Sequence, residues 1–285
     1  MIILMDEGYA RADLRVVLLD NGSVNPDSVL AGRKLAAEFA EGIGEPIDLV
    51  SVAHSDRIPV EELDGVPAQT WEHYLANSAD VGIRELRVVP LFFGPSFALR
   101  KAKKAAATLK RHGQGLRVRW SDSLVSVDGE DDILTEILAD NTLQVVNAMD
   151  PSEPLPRIIM VDHGSPIPEV TRIRDLSGTR LAQALGQRVE KVVACSMERR
   201  EGEAYDFNEP TLESAIENAK GEGVTSLILS YLFLFPGRHA GPGGDIDQIC
   251  QAQGWGPSSG LLKTNLVGES PRLPELLQAR LGALR

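Results

Sequence analysis

VVLLDNGSVNP occupies residues 16–26, and IIMVDHGSPIP occupies residues 158–168. Each is an apolar run that ends in Asp-X-Gly-Ser. The second copy lies 142 positions after the first, and Asn21 of the first is His163 of the second. Short runs of Val, Ile, Leu and Met bounded by a turn signal read as buried strands of a parallel sheet. The Gly lets the backbone approach a neighbour closely, and the Ser suits the start of a following helix. The same turn is therefore written twice, with a titratable, metal-capable side chain in one copy only.

The likeness continues along the chain. RELRVVPLFFGPSFA (84–98) resembles TSLILSYLFLFPGRHA (225–240), displaced by 141 positions. IDLVSVAHSD (47–56) matches EKVVACSMER (190–199), and WSDSLVSV (120–127) matches LKTNLVGE (262–269). Four apolar runs thus recur in one order at nearly constant spacing, which is duplication of a domain. Between them, residues 31–43, 97–112, 179–187, 210–223 and 274–285 carry apolar residues at helical spacing. Alternating strands and helices predict α/β halves with parallel sheets covered on both faces. The Pro-rich stretch NAMDPSEPLPR (147–157) places the boundary, giving halves 1–148 and 149–285.

Composition narrows the function. Hydrophobic residues at 43% supply a core, and charged residues at 25% argue against disorder. A net charge of -12 without a basic tract excludes nucleic acid as the expected partner. Cys195 and Cys250 form no CxxC pair, which suits a reducing compartment. The stretch MIILMDEGYARADLR has acidic residues where a signal peptide carries basic ones, and no segment is a membrane-span candidate. A cytoplasmic location is expected.

In open α/β sheets, ligands bind beyond the carboxyl ends of the strands. His163 directly follows the first strand of the second half, and His239 follows the strand LILSYLFLF. Both are missing from the first half, where Asn21 and Ala98 stand in their places. Paired gain or loss suggests that the two histidines work together. His54, His73 and His112 have no such context and read as structural or solvated. Two imidazoles without a nearby Cys suit a transient Co, Fe, Ni or Zn ion better than a closed structural zinc site. The Gly164-Ser165 turn lacks the Gly-x-Ser-x-Gly elbow, and Walker A and GxGxxG signatures are absent, so serine hydrolase and nucleotide chemistry are not supported at this turn. No Asp/His cluster supports a two-metal hydrolase either. The loop FPGRHAGPGGDI (235–246) adds a cation, Arg238, suited to a carboxylate.

DHGS after the first strand together with LFLFPGRHAGPGGDI after a later strand resembles the sirohydrochlorin chelatases, class II tetrapyrrole chelatases of cobalamin and siroheme biosynthesis. The resemblance implies two tandem flavodoxin-like, chelatase-like α/β halves facing each other across a cleft. It implies insertion of Co2+ or Fe2+, with Ni2+ as a further candidate, into a flat sirohydrochlorin-type macrocycle without a nucleotide. No permanently bound cofactor is expected; the metal is a substrate. By the same resemblance His163 and His239 are metal ligands and catalytic residues, and Glu209 assists proton removal, with Glu198 as a second candidate. Gly164, Ser165, Gly237 and Arg238 are expected to contact the macrocycle, with Arg199, Arg200, Arg100 and Lys101 as further basic candidates. Two features depart from the family pattern. Several relatives carry the histidine pair in the N-terminal half, and here two extra residues separate His239 from Asp245. A monomer and a homodimer both accommodate a complete cleft. A metal or tetrapyrrole carrier without turnover remains the alternative function, since binding and insertion use the same ligands.

Overall fold

The computed structural model describes residues 13–111, 115–125 and 132–284. His112 and the N-terminal stretch before residue 13 lie outside the described residues. The first sheet contains β1 (Leu14–Asp20), β2 (Ile47–Ser51), β3 (Glu85–Pro90) and β4 (Arg117–Trp120), in the order β2-β1-β3-β4. The second contains β5 (Arg157–Asp162), β6 (Lys191–Ser196), β7 (Leu227–Tyr231) and β8 (Leu261–Lys263), in the order β6-β5-β7-β8. Every pairing is parallel. Isolated bridges extend both sheets in the same way, Ser51 to Thr70 and Ser196 to Thr211. The internal duplication read from four apolar runs is present as two copies of one topology.

The helices are α1 (Pro26–Ile43), α2 (Trp71–Asp80), α3 (Phe97–Arg111), α4 (Ile133–Ala148), α5 (Pro168–Leu185), α6 (Leu212–Gly221), α7 (Asp245–Ala252) and α8 (Leu273–Gly282). Local chemistry sets the ends of α1. The Asn25 side chain accepts from the Asp27 amide at 2.8 Å, Pro26 fixes the first turn, and Gly44 closes the helix at φ 68°. α5 starts at Pro168, well before the stretch near residue 179 that its apolar spacing marks. Its first turns bury Thr171 and Arg174, so hydrophobic periodicity does not register them. Among the described residues, no helix is long and apolar enough to cross a membrane.

The two halves share one core. The outer face of the first sheet packs under α2 and α3, and the outer face of the second under α6 and α7. The inner faces join in a single apolar cluster that includes Leu18, Val89, Ile158, Met160 and Ile228. The last helix of each half crosses over. α4 packs on β7 and α5, while α8 packs on β3 and α1. Arg280 of α8 donates to the Ser123 and Leu124 carbonyls, each at 2.8 Å, and Thr142 of α4 reaches Ser230 of β7 at 3.4 Å.

The strand-end acids differ between the copies. Asp20 and Asp162 are both buried. Burial pushes both upward; Ser196 and the charge of Arg174 pull Asp162 back. Gly32 occupies the place of Arg174 in α1, so Asp20 has no such counter-ion, and its Oδ1 has no hydrogen-bond partner among the described residues. Burial lifts the Asp20 pKa from 3.8 to about 6, against weaker opposing bonds from Ser51 and Gly22.

Two measurements follow from this packing. Leu276 of α8 is fully buried in the shared core, and Leu276→Ala should cost about 2–5 kcal/mol. The loss should appear in one transition, reported together by Trp71 and Trp120 of the first half and Trp255 of the second. Separate transitions would contradict a common core. For Asp20, the folded state holds the proton more tightly than the unfolded chain. Its favourable contribution is complete below pH 3.8 and is lost as pH rises through about 6. Asp20→Asn should remove that decline and raise stability at pH 7.5 by about 1–3 kcal/mol, as read from urea midpoints across pH 4–8.

Candidate metal and macrocycle site

The turn after β5 is pressed against the chain leaving β6. Gly164 has φ 87°, and a Cβ there would lie 2.0 Å from the Glu198 carbonyl oxygen. Gly22, at φ 86°, stands equally tight against the Ala53 carbonyl, at 1.7 Å. Both positions therefore require glycine. Inside the turn, the Gly164 amide donates to Asp162 Oδ1 at 3.0 Å, and the Ile167 amide donates to Ser165 Oγ at 3.1 Å. Close backbone approach thus places His163 beside Glu198, with His163 Nε2 at 3.6 Å from Glu198 Oε1.

The second histidine comes from the glycine-rich loop between β7 and α7. Gly241 N–H donates to the Gly237 carbonyl at 2.9 Å, and the first amides of α7 reach back to the Arg238 and His239 carbonyls at 3.1 and 3.2 Å. A Cβ on Gly244 would lie 2.5 Å from the Arg238 oxygen and 2.7 Å from that of His239, so this winding also needs glycine. The loop carries His239 to His163; their ring centroids are 4.6 Å apart with planes at 64°. These are the two strand ends, β5 and β7, that flank the switch in strand order.

Hydrogen bonds assign the tautomers. His239 Nδ1 lies 2.7 Å from Asp245 Oδ2, and His163 Nδ1 lies 3.0 Å from the Gly164 carbonyl. Both partners are acceptors, so each Nδ1 carries the proton. Each neutral ring then keeps its Nε2 lone pair for a cation, the arrangement by which outer-shell acceptors orient histidine ligands. Glu198 and Asp245 add negative charge around the pair. Two imidazoles and a carboxylate suit borderline divalent metals. Among the described residues no group of three or more His, Cys, Asp or Glu side chains is already gathered at metal-binding spacing.

The other candidates are distributed as follows. Ser165 N–H donates to Asn208 Oδ1 at 3.0 Å, which ties the turn to the loop before α6. Gly237 lies in the coil that carries His239. Arg238 is 82% exposed and lies 3.3 Å from Asp245. Glu209 is bound to Arg199 at 2.7 Å and accepts the Thr211 amide at 2.9 Å, so it holds the start of α6. Glu198 is the carboxylate at His163. Arg199 and Lys101 are engaged by Glu209 and Glu72, while Arg200 and Arg100 lie over Tyr205 and Phe97. His54 and His73 line a 340 Å³ cavity on the first half with Asp56, Arg57, Glu72 and Lys101. Asp245 was present in the quoted loop without a role. Arg174 and Asn208 gave no sequence signal, because a polar residue in a helix or loop reads as solvated.

Residues 157–284 match the family model CbiX. No curated protein sequence matches the chain. Among solved structures, SirB from Bacillus subtilis with Fe3+ is similar at a TM-score of 0.69 and 13% identity over 95% of both chains. CbiX, described as the terminal enzyme for siroheme biosynthesis in denitrifying bacteria, is similar at 0.57 and 17% identity, over 96% of this chain and 99% of that one. A multi-domain Deinococcus radiodurans protein with structural similarity to chelatases gives 0.62 and 16% identity, over 96% of this chain and 56% of its own. The structural likenesses establish the two-sheet fold over nearly the whole chain, and the family match falls on the half that holds both histidines. The second half of the chain thus matches the CbiX family model, and the chain as a whole shares the fold of the SirB and CbiX structures.

Proposed function

We infer that the protein inserts a divalent metal, Co2+ or Fe2+ with Ni2+ as a third candidate, into sirohydrochlorin or a related tetrapyrrole. The reaction serves siroheme or cobalamin formation in the cytoplasm and uses no nucleotide. The observation that carries this reading is the pair His163 and His239, with both Nδ1 atoms bonded to acceptors and with Glu198 at His163 Nε2. Support also comes from the printed descriptions of similar structures, SirB with Fe3+ or in complex with cobalt. In this reading the halves 1–148 and 149–285 are one silent and one active copy, and a single chain provides both walls of the macrocycle site.

The work of the side chains follows from their chemistry. His163 and His239 hold the arriving ion through Nε2 and release it to the pyrrole nitrogens. Two pyrrole N–H protons leave as one divalent ion enters, so charge balances without a redox step. Glu198 is the carboxylate at the Nε2 edge of His163 and takes the proton-acceptor role, while Glu209 remains with Arg199 as part of the loop framework. Asp245 keeps His239 in its ligating tautomer. Gly164, Ser165 and Gly237 shape the surface offered to the flat ring, and Arg238 supplies a cation for peripheral carboxylates. That local charge matters because the chain as a whole carries -12.

Anaerobic absorbance spectroscopy with sirohydrochlorin and Co2+, Fe2+ or Ni2+, against metal-only controls, tests the function. Insertion should run far above the control rate and rank the metals. Tetrapyrrole binding without acceleration by any metal would make the protein a carrier instead. In the same assay His163→Ala and His239→Ala should each remove most activity, and Asn21→Ala should change it less than about twofold. Glu198→Gln should slow insertion by about 100-fold, with Glu209→Gln milder. Asp245→Asn should weaken Co2+ binding by about 10–100-fold.

A further inference from the structure

A buried polar assembly underlies the His163 turn and has no counterpart in the other half. Arg174 is 1% exposed. Its Nη1 donates to Ser196 Oγ at 2.7 Å and to the Asn208 carbonyl at 2.6 Å. Its Nη2 donates to the Glu209 carbonyl at 3.2 Å, and Asp175 takes Nε at 2.9 Å. Asn208 is likewise 1% exposed and uses both ends of its amide. Oδ1 accepts from the Ser165 amide at 3.0 Å and from Thr171 Oγ1 at 3.3 Å. Nδ2 donates to the Ser165 carbonyl at 2.9 Å and the Tyr205 carbonyl at 3.2 Å. One guanidinium thus fixes the loop that carries Asn208, and Asn208 grips Ser165 from both sides of its peptide.

The duplicate half is an internal control. There the same turn forms with Gly22 at φ 86° and Ser23, and the Ser23 amide is held by one hydroxyl, Ser55 Oγ, at 3.1 Å. Gly32 stands in the place of Arg174. The turn therefore needs neither a buried guanidinium nor a buried amide in order to fold. Burying a charge is costly unless it is fully bonded, and a fully satisfied buried network rigidifies what it touches. The assembly occurs only where the turn carries a histidine. Ser165 lies two residues from His163, and Arg174 also binds the carbonyl preceding Pro210, at the end of the loop that begins beside Glu198.

We propose that Arg174 and Asn208 are positioning residues that lock the His163 turn at the separation from His239 that a shared metal ion requires. The proposal deepens the chelatase reading and rests on it for the two-histidine ion site.

The test uses the full-length protein and Co2+ alone as the probe, titrated anaerobically and followed by visible absorption of the bound ion. Arg174→Gly copies the residue of the silent half, and Asn208→Ser reduces the amide clamp to a single hydroxyl of the kind that Ser55 supplies there; Ser55→Ala removes the clamp of the silent half. Asn208→Ser should weaken Co2+ binding by about tenfold or more and lower kcat for insertion comparably, with KM for sirohydrochlorin within about twofold. Arg174→Gly should do the same more strongly, and Ser55→Ala should leave Co2+ affinity and kcat unchanged. Circular dichroism should match the native protein for Asn208→Ser, which keeps the result readable if Arg174→Gly does not fold. Native Co2+ affinity in Asn208→Ser, or an equal loss in Ser55→Ala, would overturn the proposal. If the native protein binds Co2+ yet inserts no metal, the chelatase reading fails, and the Co2+ affinities still decide the positioning role. If it binds no Co2+, both fail.

Discussion

Each sheet buries its inner face under one helix of its own half and one helix lent by the other. α1 and α8 lie on the first sheet, and α5 and α4 on the second. An inner face of Val, Leu, Ile and Met has no acceptable solvent-exposed state, so the loans are obligatory. The same core fixes the geometry between the halves. Ile173 of α5 lies against Gly94 of the first half so tightly that a Cβ there would meet it at 2.5 Å. The two rims are therefore held by packing at the level of single methyl groups.

The duplication was legible because its signals are dense. Parallel strands buried on both faces read as unbroken apolar runs, and the Asp-X-Gly-Ser turn repeats in frame. The elements that went unseen fail that test for particular reasons. The first three turns of α5 bury Thr171, Arg174 and Ser177 beside Ile173, so polar residues interrupt their inward stripe. α4 has apolar residues around most of its surface because it is wedged between α5 and the second sheet, which blurs the helical stripe. The exchange of α4 and α8 is invisible in a sequence, since both helices belong by order to the half they leave.

The site shows the same division. His163 and His239 stand out by the contrast between copies. The choice of carboxylate does not. Glu209 precedes a Pro at a helix entrance and draws attention, yet its bonds go to Arg199 and Thr211. Glu198 looks like an ordinary surface acid, and only the approach of Gly164 to its carbonyl brings it to His163. Asn208 and Arg174 are harder still, because nothing in a lone polar residue reveals that it is buried.

The lent helices also govern how the two copies can diverge. A duplicated half without the histidine pair would ordinarily be free to decay or to be deleted. Here the first half supplies α4 to the second and receives α8 in return, so neither is separable from its twin. Substitution can run at its rim, where Asn21 and Ala98 already differ from their partners. Its inner face and its last helix stay under the constraint of the other half. The chain retains both copies for the same reason an arch retains both its piers.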